Sequence, residues 1–229
     1  MGPEALVPAD ASDNPWFSWS YLQANGDDLL IAAREHLEIT FVSILLALLV
    51  AVPLVLVVRR WPRSQVPVLA FSGVLYTIPS LALIAGLWPI FGLTPWTVIV
   101  ALTLYALLVI LRNILVGLDS IGEDLIDAAR GQGYTSRQTL WRVRLPIAIP
   151  TIMAGIRIAT VSTVGLVTVG ALVGHGGFGS VIFNGFVSNF YHAQILAGTV
   201  CVVALALLLE GLLVLLERLL TPWLRVGSA

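Results

Sequence analysis

The sequence predicts an all-α membrane protein of about five transmembrane helices, N-terminus outside, with two short helices on the cytoplasmic side. Three observations carry that prediction. Of 229 residues, 58% are hydrophobic and 11% charged, and the mean hydropathy is +0.95. Apolar runs of roughly 20 residues, the length a bilayer crossing needs, recur along the chain. The charges are segregated: the first 38 residues hold seven acids against the single Arg34, while most of the other arginines cluster between or after the apolar runs.

Residues 1–26 contain Pro3, Pro8 and Pro15 and no basic patch leading into an apolar core, so they read as a loose extracytoplasmic tail and not a secretory signal. Trp16, Trp19 and Tyr21 either dip that tail into the headgroup layer or have no role. The transmembrane domain is then residues 27–229. Asp27 and Asp28 suit a helix N-terminus, where carboxylates meet the positive end of the dipole. The first span is expected over Leu37–Val58, closing on Arg59, Arg60, Trp61, Pro62 and Arg63 at the cytoplasmic side. The second runs from Val66 to Phe91 and is interrupted at Thr77-Ile78-Pro79-Ser80. There proline removes a backbone donor and the small hydroxyls can satisfy freed carbonyls, so a kink or break is expected.

The third span, Pro95–Leu115, delivers Arg112 to the cytoplasmic edge, where a polar loop, residues 119–150, begins. Ser120 with Glu123 reads as an S-x-x-E capping box opening a helix over Ile121–Arg130, which Gly131 and Gly133 stop. Thr135 with Gln138 repeats the box as T-x-x-Q and starts a second short helix carrying Arg137, Leu140, Trp141 and Arg144. Pro146 is expected to end it by forcing Leu145 out of helical geometry. A fourth span follows from Pro150, harmless in a first turn, to Val173. Gly174–Gly179 makes a flexible outer turn, and Phe183–Phe190 is too short and polar to cross, so it reads as re-entrant or interfacial. The last span covers Ile195–Leu216. Five crossings put Arg59, Arg60, Arg63, Arg130, Arg137, Arg142, Arg144, Arg218 and Arg225 inside, and all seven tryptophans fall at or beyond span ends.

Enzymatic chemistry finds little support in the residues. All 12 basic residues are arginine, so the phosphate-binding loop G-x-x-x-x-G-K-[ST] cannot exist in this chain, which hydrolyses no nucleotide itself. The single Cys201 sits in an apolar run and reads as a small hydrophobe. His36, His175 and His192 have no ligand spacing with one another, and each reads as structural; no metal site is expected.

In the polar loop, Asp127-Ala128-Ala129 is followed by Gly133 and, after nine residues, by Val143-Arg144-Leu145-Pro146. This resembles the E-A-A, three residues, G, nine residues, I-x-L-P pattern with which permease subunits of ATP-binding-cassette importers touch their ATPase. Asp stands for Glu and Val for Ile. Together with Tyr76–Leu83, Leu111-Arg112-Asn113, Gly155–Ala159 and the Gly174–Gly179 turn, the chain from Leu37 to Leu219 resembles the glycine betaine, choline and carnitine branch of the type I importers. The resemblance implies a multi-pass protein of the bacterial inner membrane that works with a second permease chain, identical or homologous. It further implies two cytoplasmic ATPases, which bind the ATP and Mg, and an outer substrate-binding protein, with no cofactor on this chain and no nucleic-acid partner. Asp127, Ala128, Ala129, Gly133, Val143, Leu145 and Pro146 are then the coupling motif. Another small solute, such as an amino acid, remains an alternative cargo.

Two further groups stand out on physical grounds. Arg157 lies seven residues beyond Pro150 and Glu210 eight before Arg218, so at about 1.5 Å per residue both sit roughly 10–12 Å inside the cytoplasmic edge, a matching depth that permits an ion pair. The same two residues would serve a charge relay if the chain were an ion-coupled transporter or channel. Tyr76, Thr77, Ile78, Pro79 and Ser80 are placed near mid-membrane. A trimethylammonium group has no N–H to donate, so an aromatic face such as that of Tyr76 could attract it along a translocation path.

Overall fold

A computed structural model describes residues 14–225. Its helices are α1 (Trp19–Ala24), α2 (Gly26–Arg60), α3 (Gln65–Thr77), α4 (Ser80–Phe91), α5 (Pro95–Asp119), α6 (Glu123–Gly131), α7 (Ser136–Thr139), α8 (Leu145–Val167), α9 (Phe178–Val187) and α10 (His192–Leu220). Among the described residues, α2, α5, the Ser136–Val173 stretch and α10 are each long and apolar enough to cross a membrane, and the bent pair of α3 and α4 makes a fifth candidate. The spans exceed their expected lengths. The helix that begins at Gly26 carries Asp27 and Asp28 in its first turn, so the dipole argument marks its true start, eleven residues before Leu37.

Part of the expected tail is ordered. Ser18 caps α1 by accepting from the Tyr21 N–H at 3.2 Å, while the expectation for residues 1–13 lies outside the described residues.

Between α3 and α4 the chain turns by 96°, a break and not a kink. Ile78 is extended (ψ 128°), as a residue before proline prefers. The freed polar groups are satisfied locally and from a neighbour: the Thr77 hydroxyl donates to the Val74 carbonyl at 2.7 Å, and the Tyr105 hydroxyl of α5 donates to the Ile78 carbonyl.

Three expectations around the polar loop are corrected. Ser120 does not cap α6. Helix α5 runs on to Asp119, which Arg59 holds at 2.7 Å, and the Ser120 hydroxyl is spent on the Gly117 carbonyl at 2.9 Å, leaving Gly122 as the cap. Leu145 is not forced out of the helix before Pro146; it is helical at φ −62°, ψ −49°. A π turn over Leu140–Arg144 absorbs the proline, because the widened register has the Leu145 N–H donating to Leu140. Consequently Pro150 is interior to α8 and not at its start, and the helical path is unbroken from Ser136 to Val173.

The described residues fall into two compact units built from alternating pieces of chain. One comprises the residues up to Val42, Pro79–Leu102 and Thr163–Leu207. Its core includes Ile39, Ile84, Val98, Leu102, Val164 and Val167, with His36 fully buried and its Nε2 2.9 Å from the Val164 carbonyl. The other comprises Ser43–Ile78, Thr103–Ser162 and the residues from Leu208 on. There Ala47, Ala51, Val55 and Val58 of α2 pack with Ile110, Leu111, Ile114 and Leu115 of α5 and Ala148 and Ala159 of α8. Small residues on the α2 and α8 faces let helices approach closely, as bilayer packing requires. A close crossing lies at Gly155, where an added Cβ would lie 2.3 Å from the Asn113 Cβ, so two segments of the resemblance, Leu111–Asn113 and Gly155–Ala159, meet there.

Candidate functional site: the coupling elbow and its supports

Helix α6 is strongly amphipathic by sequence: Ala129 is buried while Asp127, Ala128 and Arg130 are exposed. Asp127 and Arg130 pair at 3.1 Å one turn apart, both well solvated, a contact worth little to stability. The helix ends in a Schellman motif. The Tyr134 N–H donates to Ala129 at 3.0 Å, the Gly133 N–H donates to Arg130 at 2.9 Å, and Gly133 has φ +80°. This geometry explains the spacing of A-A-x-x-x-G. Ala129 is the residue whose carbonyl takes the long return bond, and Gly133 is the left-handed residue four positions on. Space does not demand the glycine, since an added Cβ would meet nothing within 4 Å; the backbone angle does.

The chain then restarts at once. Thr135 and Gln138 form a complete capping box, with the Thr135 N–H donating to Gln138 Oε1 at 2.8 Å and the Gln138 N–H donating to Thr135 Oγ1 at 3.3 Å. The Arg142 guanidinium sits 6.0 Å from the centre of the Tyr134 ring, across the elbow. Val143, Leu145 and Pro146 are half-buried, and Trp141 projects at 62% exposure. An exposed acid, a left-handed glycine and an exposed tryptophan thus follow one another along α6, the elbow and the π turn that succeeds α7.

Arg157 and Glu210, expected at matching depth, are in contact: Arg157 Nε donates to Glu210 Oε1 at 2.9 Å. Sequence reasoning missed the third member, Glu217, whose Oε2 accepts from Arg157 Nη1 at 3.0 Å. The sequence carried part of the signal, because Glu217 lies two helical turns beyond Glu210 and therefore on the same face, but not at Arg157's depth. The guanidinium fork thus joins α8 to two points on α10.

Tyr76 is half exposed, and its ring meets Tyr105 edge to face at 5.6 Å between centroids. Thr77 and Pro79 are exposed and Ile78 and Ser80 intermediate, so Tyr76–Ser80 presents an open, irregular stretch of backbone. Tyr105 is a second missed residue.

The histidines hold the extracytoplasmic turns. His175 Nδ1 lies 2.9 Å from Glu35 Oε1, and the other oxygen of Glu35 accepts the Gly177 N–H at 3.1 Å. Glu35 thereby clamps the Gly174–Gly177 part of the expected flexible turn onto α2. Glu35→Ala should speed hydrogen exchange at the Gly177 amide about tenfold, the loss expected for a partly exposed bond to a charged acceptor; unchanged exchange would show that the clamp contributes nothing. His192 donates its N–H to Asn14 Oδ1 at 2.9 Å and stacks on Trp16, with centroids 4.2 Å apart. Tyr21 packs edge to face on Tyr191, and burial first, then Tyr191 and Asp28, pushes its phenol up to about 12, so it stays neutral at physiological pH.

The family described as binding-protein-dependent transport system inner membrane component matches residues 40–222. The chain is 37% identical over 204 residues to the glycine betaine/carnitine/choline transport system permease protein OpuCB of Bacillus subtilis (strain 168), covering 89% of this chain and 93% of that protein. It is 39% identical over 204 residues to the carnitine transport permease protein OpuCB of Listeria monocytogenes, with the same coverage of 89% and 93%. Among solved structures, the MetNI methionine ABC transporter in an inward-facing conformation is similar with a TM-score of 0.75 and 25% identity, over 90% of this chain and 100% of that chain.

Proposed function

Since this chain belongs to the family of binding-protein-dependent transport system inner membrane components, we propose that it is the permease subunit through which an ATP-driven importer takes up quaternary ammonium osmoprotectants such as glycine betaine, choline or carnitine. The coupling elbow carries the reading. A solvent-facing knob, stiffened by a Schellman motif and a full capping box, continues without interruption into a helix 38 residues long. Closure of an ATPase pair against that knob would tilt the helix and alternate the opening of the path. Asp127, Ala128, Ala129, Gly133, Val143, Leu145 and Pro146 are the residues we assign to the contact. The nucleotide chemistry belongs to the partner, in keeping with a chain that contains no lysine. The relatives named for glycine betaine, carnitine and choline support the substrate class.

The test is reconstitution of the chain with its ATPase and binding protein in proteoliposomes. ATP-dependent uptake of labelled glycine betaine, choline or carnitine, and none of labelled methionine, is the expected result; methionine uptake alone would move the chain to the amino-acid importers.

Along the path, Tyr76 to Ser80 form in this reading a weak and transient route for the cation, with Tyr105 holding the break open. Tyr76→Phe keeps the π face and should retain most uptake, whereas Tyr76→Leu should lose about fivefold or more, the scale of a cation–π contact of roughly 1 kcal/mol. Equal uptake by the two variants would make Tyr76 a packing residue. Tyr105→Phe leaves the Ile78 carbonyl without its donor and should lower stability by about 1–2 kcal/mol, read as a fall in melting temperature.

A further inference from the structure

A cavity of about 640 Å³ opens between the cytoplasmic half of α2, the start of α8 and the coupling helices. Its long wall is a stripe of Leu48, Val52, Val55 and Leu56, at the spacing of one helical face, and the same stripe ends in Arg59. From residue 48 to residue 59 the stripe is roughly 16 Å long, close to the depth of one leaflet's hydrocarbon, about 15 Å. Val52 and Leu56 are more than half exposed, so the wall is open on one side.

The polar end of the cavity is cationic. Arg59 is neutralised by Asp119 and Arg130 by Asp127, whereas Arg144, which also lines the cavity, has no ion-pair partner among the described residues. Ser136 and Thr139 line the cavity as well. A quaternary ammonium solute does not suit such a place, because the uncompensated Arg144 repels it and no acid lines the cavity. An anion bearing a long apolar chain suits it at both ends.

We propose that this groove holds one anionic phospholipid of the cytoplasmic leaflet, with an acyl chain along Leu48–Leu56 and the phosphate on Arg144 beside Arg59. The lipid bridges α2 to the π turn that carries the coupling knob. Membrane surface charge thereby gains a hold on the part of the chain that an ATPase would move.

The full-length chain, purified in mild detergent, is incubated with equal amounts of phosphatidylglycerol and phosphatidylcholine, and retained lipid is counted by native mass spectrometry. Wild type should keep one phosphatidylglycerol per chain. Arg144→Gln should retain about tenfold less, Val52→Trp, which fills the groove, should retain neither lipid, and Arg112→Gln, on an exposed arginine outside the groove, should match wild type. Undiminished retention by Arg144→Gln, or equal retention of phosphatidylcholine by wild type, would overturn the proposal. A Val52→Cys variant lacking Cys201 is treated with a bifunctional maleimide. It should stay monomeric, and a cross-linked dimer would make a second copy of the chain the occupant and end the lipid reading.

Discussion

Gly133→Val is expected to abolish most substrate uptake by the reconstituted importer while ATP hydrolysis continues and the binding protein still docks. The residue sits at φ +80°, where a β-branched side chain is a strong outlier, and the left-handed region costs an ordinary L-residue about 1–2 kcal/mol. Relief of that strain means abandoning the turn, and with it the Tyr134 to Ala129 and Gly133 to Arg130 bonds that set the angle between α6 and α7. The size of the new side chain is not the cause, since the added Cβ touches nothing. A graded series separates the two explanations. Asparagine tolerates left-handed geometry and should keep most uptake, alanine should be intermediate, and valine worst. Wild-type uptake by the valine variant would remove the elbow from the coupling path.

The second large effect is expected at Arg157. Its two acids back each other up, so Glu210→Gln should be mild and Glu210→Leu only moderately worse, because Glu217 remains 3.0 Å away. The double change Glu210→Leu with Glu217→Leu strands the guanidinium within α8. Stranding a fully buried charge costs about 3–5 kcal/mol. The side chains here keep 30%, 31% and 21% of their exposure, and snorkelling helps arginine, so about 1–2 kcal/mol is expected, read as a lower melting temperature with loss of uptake. If the double variant melts and transports like either single one, α8 and α10 are not held through this cluster.

What the sequence disclosed and what it withheld divide along the reach of the interactions. Gly133 and the Thr135 box are local, governed by residues within five positions of each other, and the spacing was enough to find them. Ile78 and Leu145 are both followed by proline, yet only Ile78 leaves the helix. Ile78 is relieved by a hydroxyl 27 residues away on α5, and Leu145 by a widened turn; neither remedy is written in the neighbouring letters. Ser120 failed as a cap for the same kind of reason, because Asp119 is held by Arg59 from a distant helix and α5 continues past the expected end. Matching depth was enough to put Arg157 beside Glu210, whereas the forked geometry that adds Glu217 needed the relative rotation of two helices.

The π turn at Leu140–Arg144 is, in phase terms, one residue more than an α-helix would hold over the same rise. The wider turn absorbs that residue, so the span and the elbow keep nearly the bearing that a plain α-helix would give them. A chain shortened by one residue there would fall back into the α register, in which the Pro146 ring meets the carbonyl four positions behind it. The helix would then kink between span and elbow, making this the place where losing one residue would bend a continuous strut while each part remains intact.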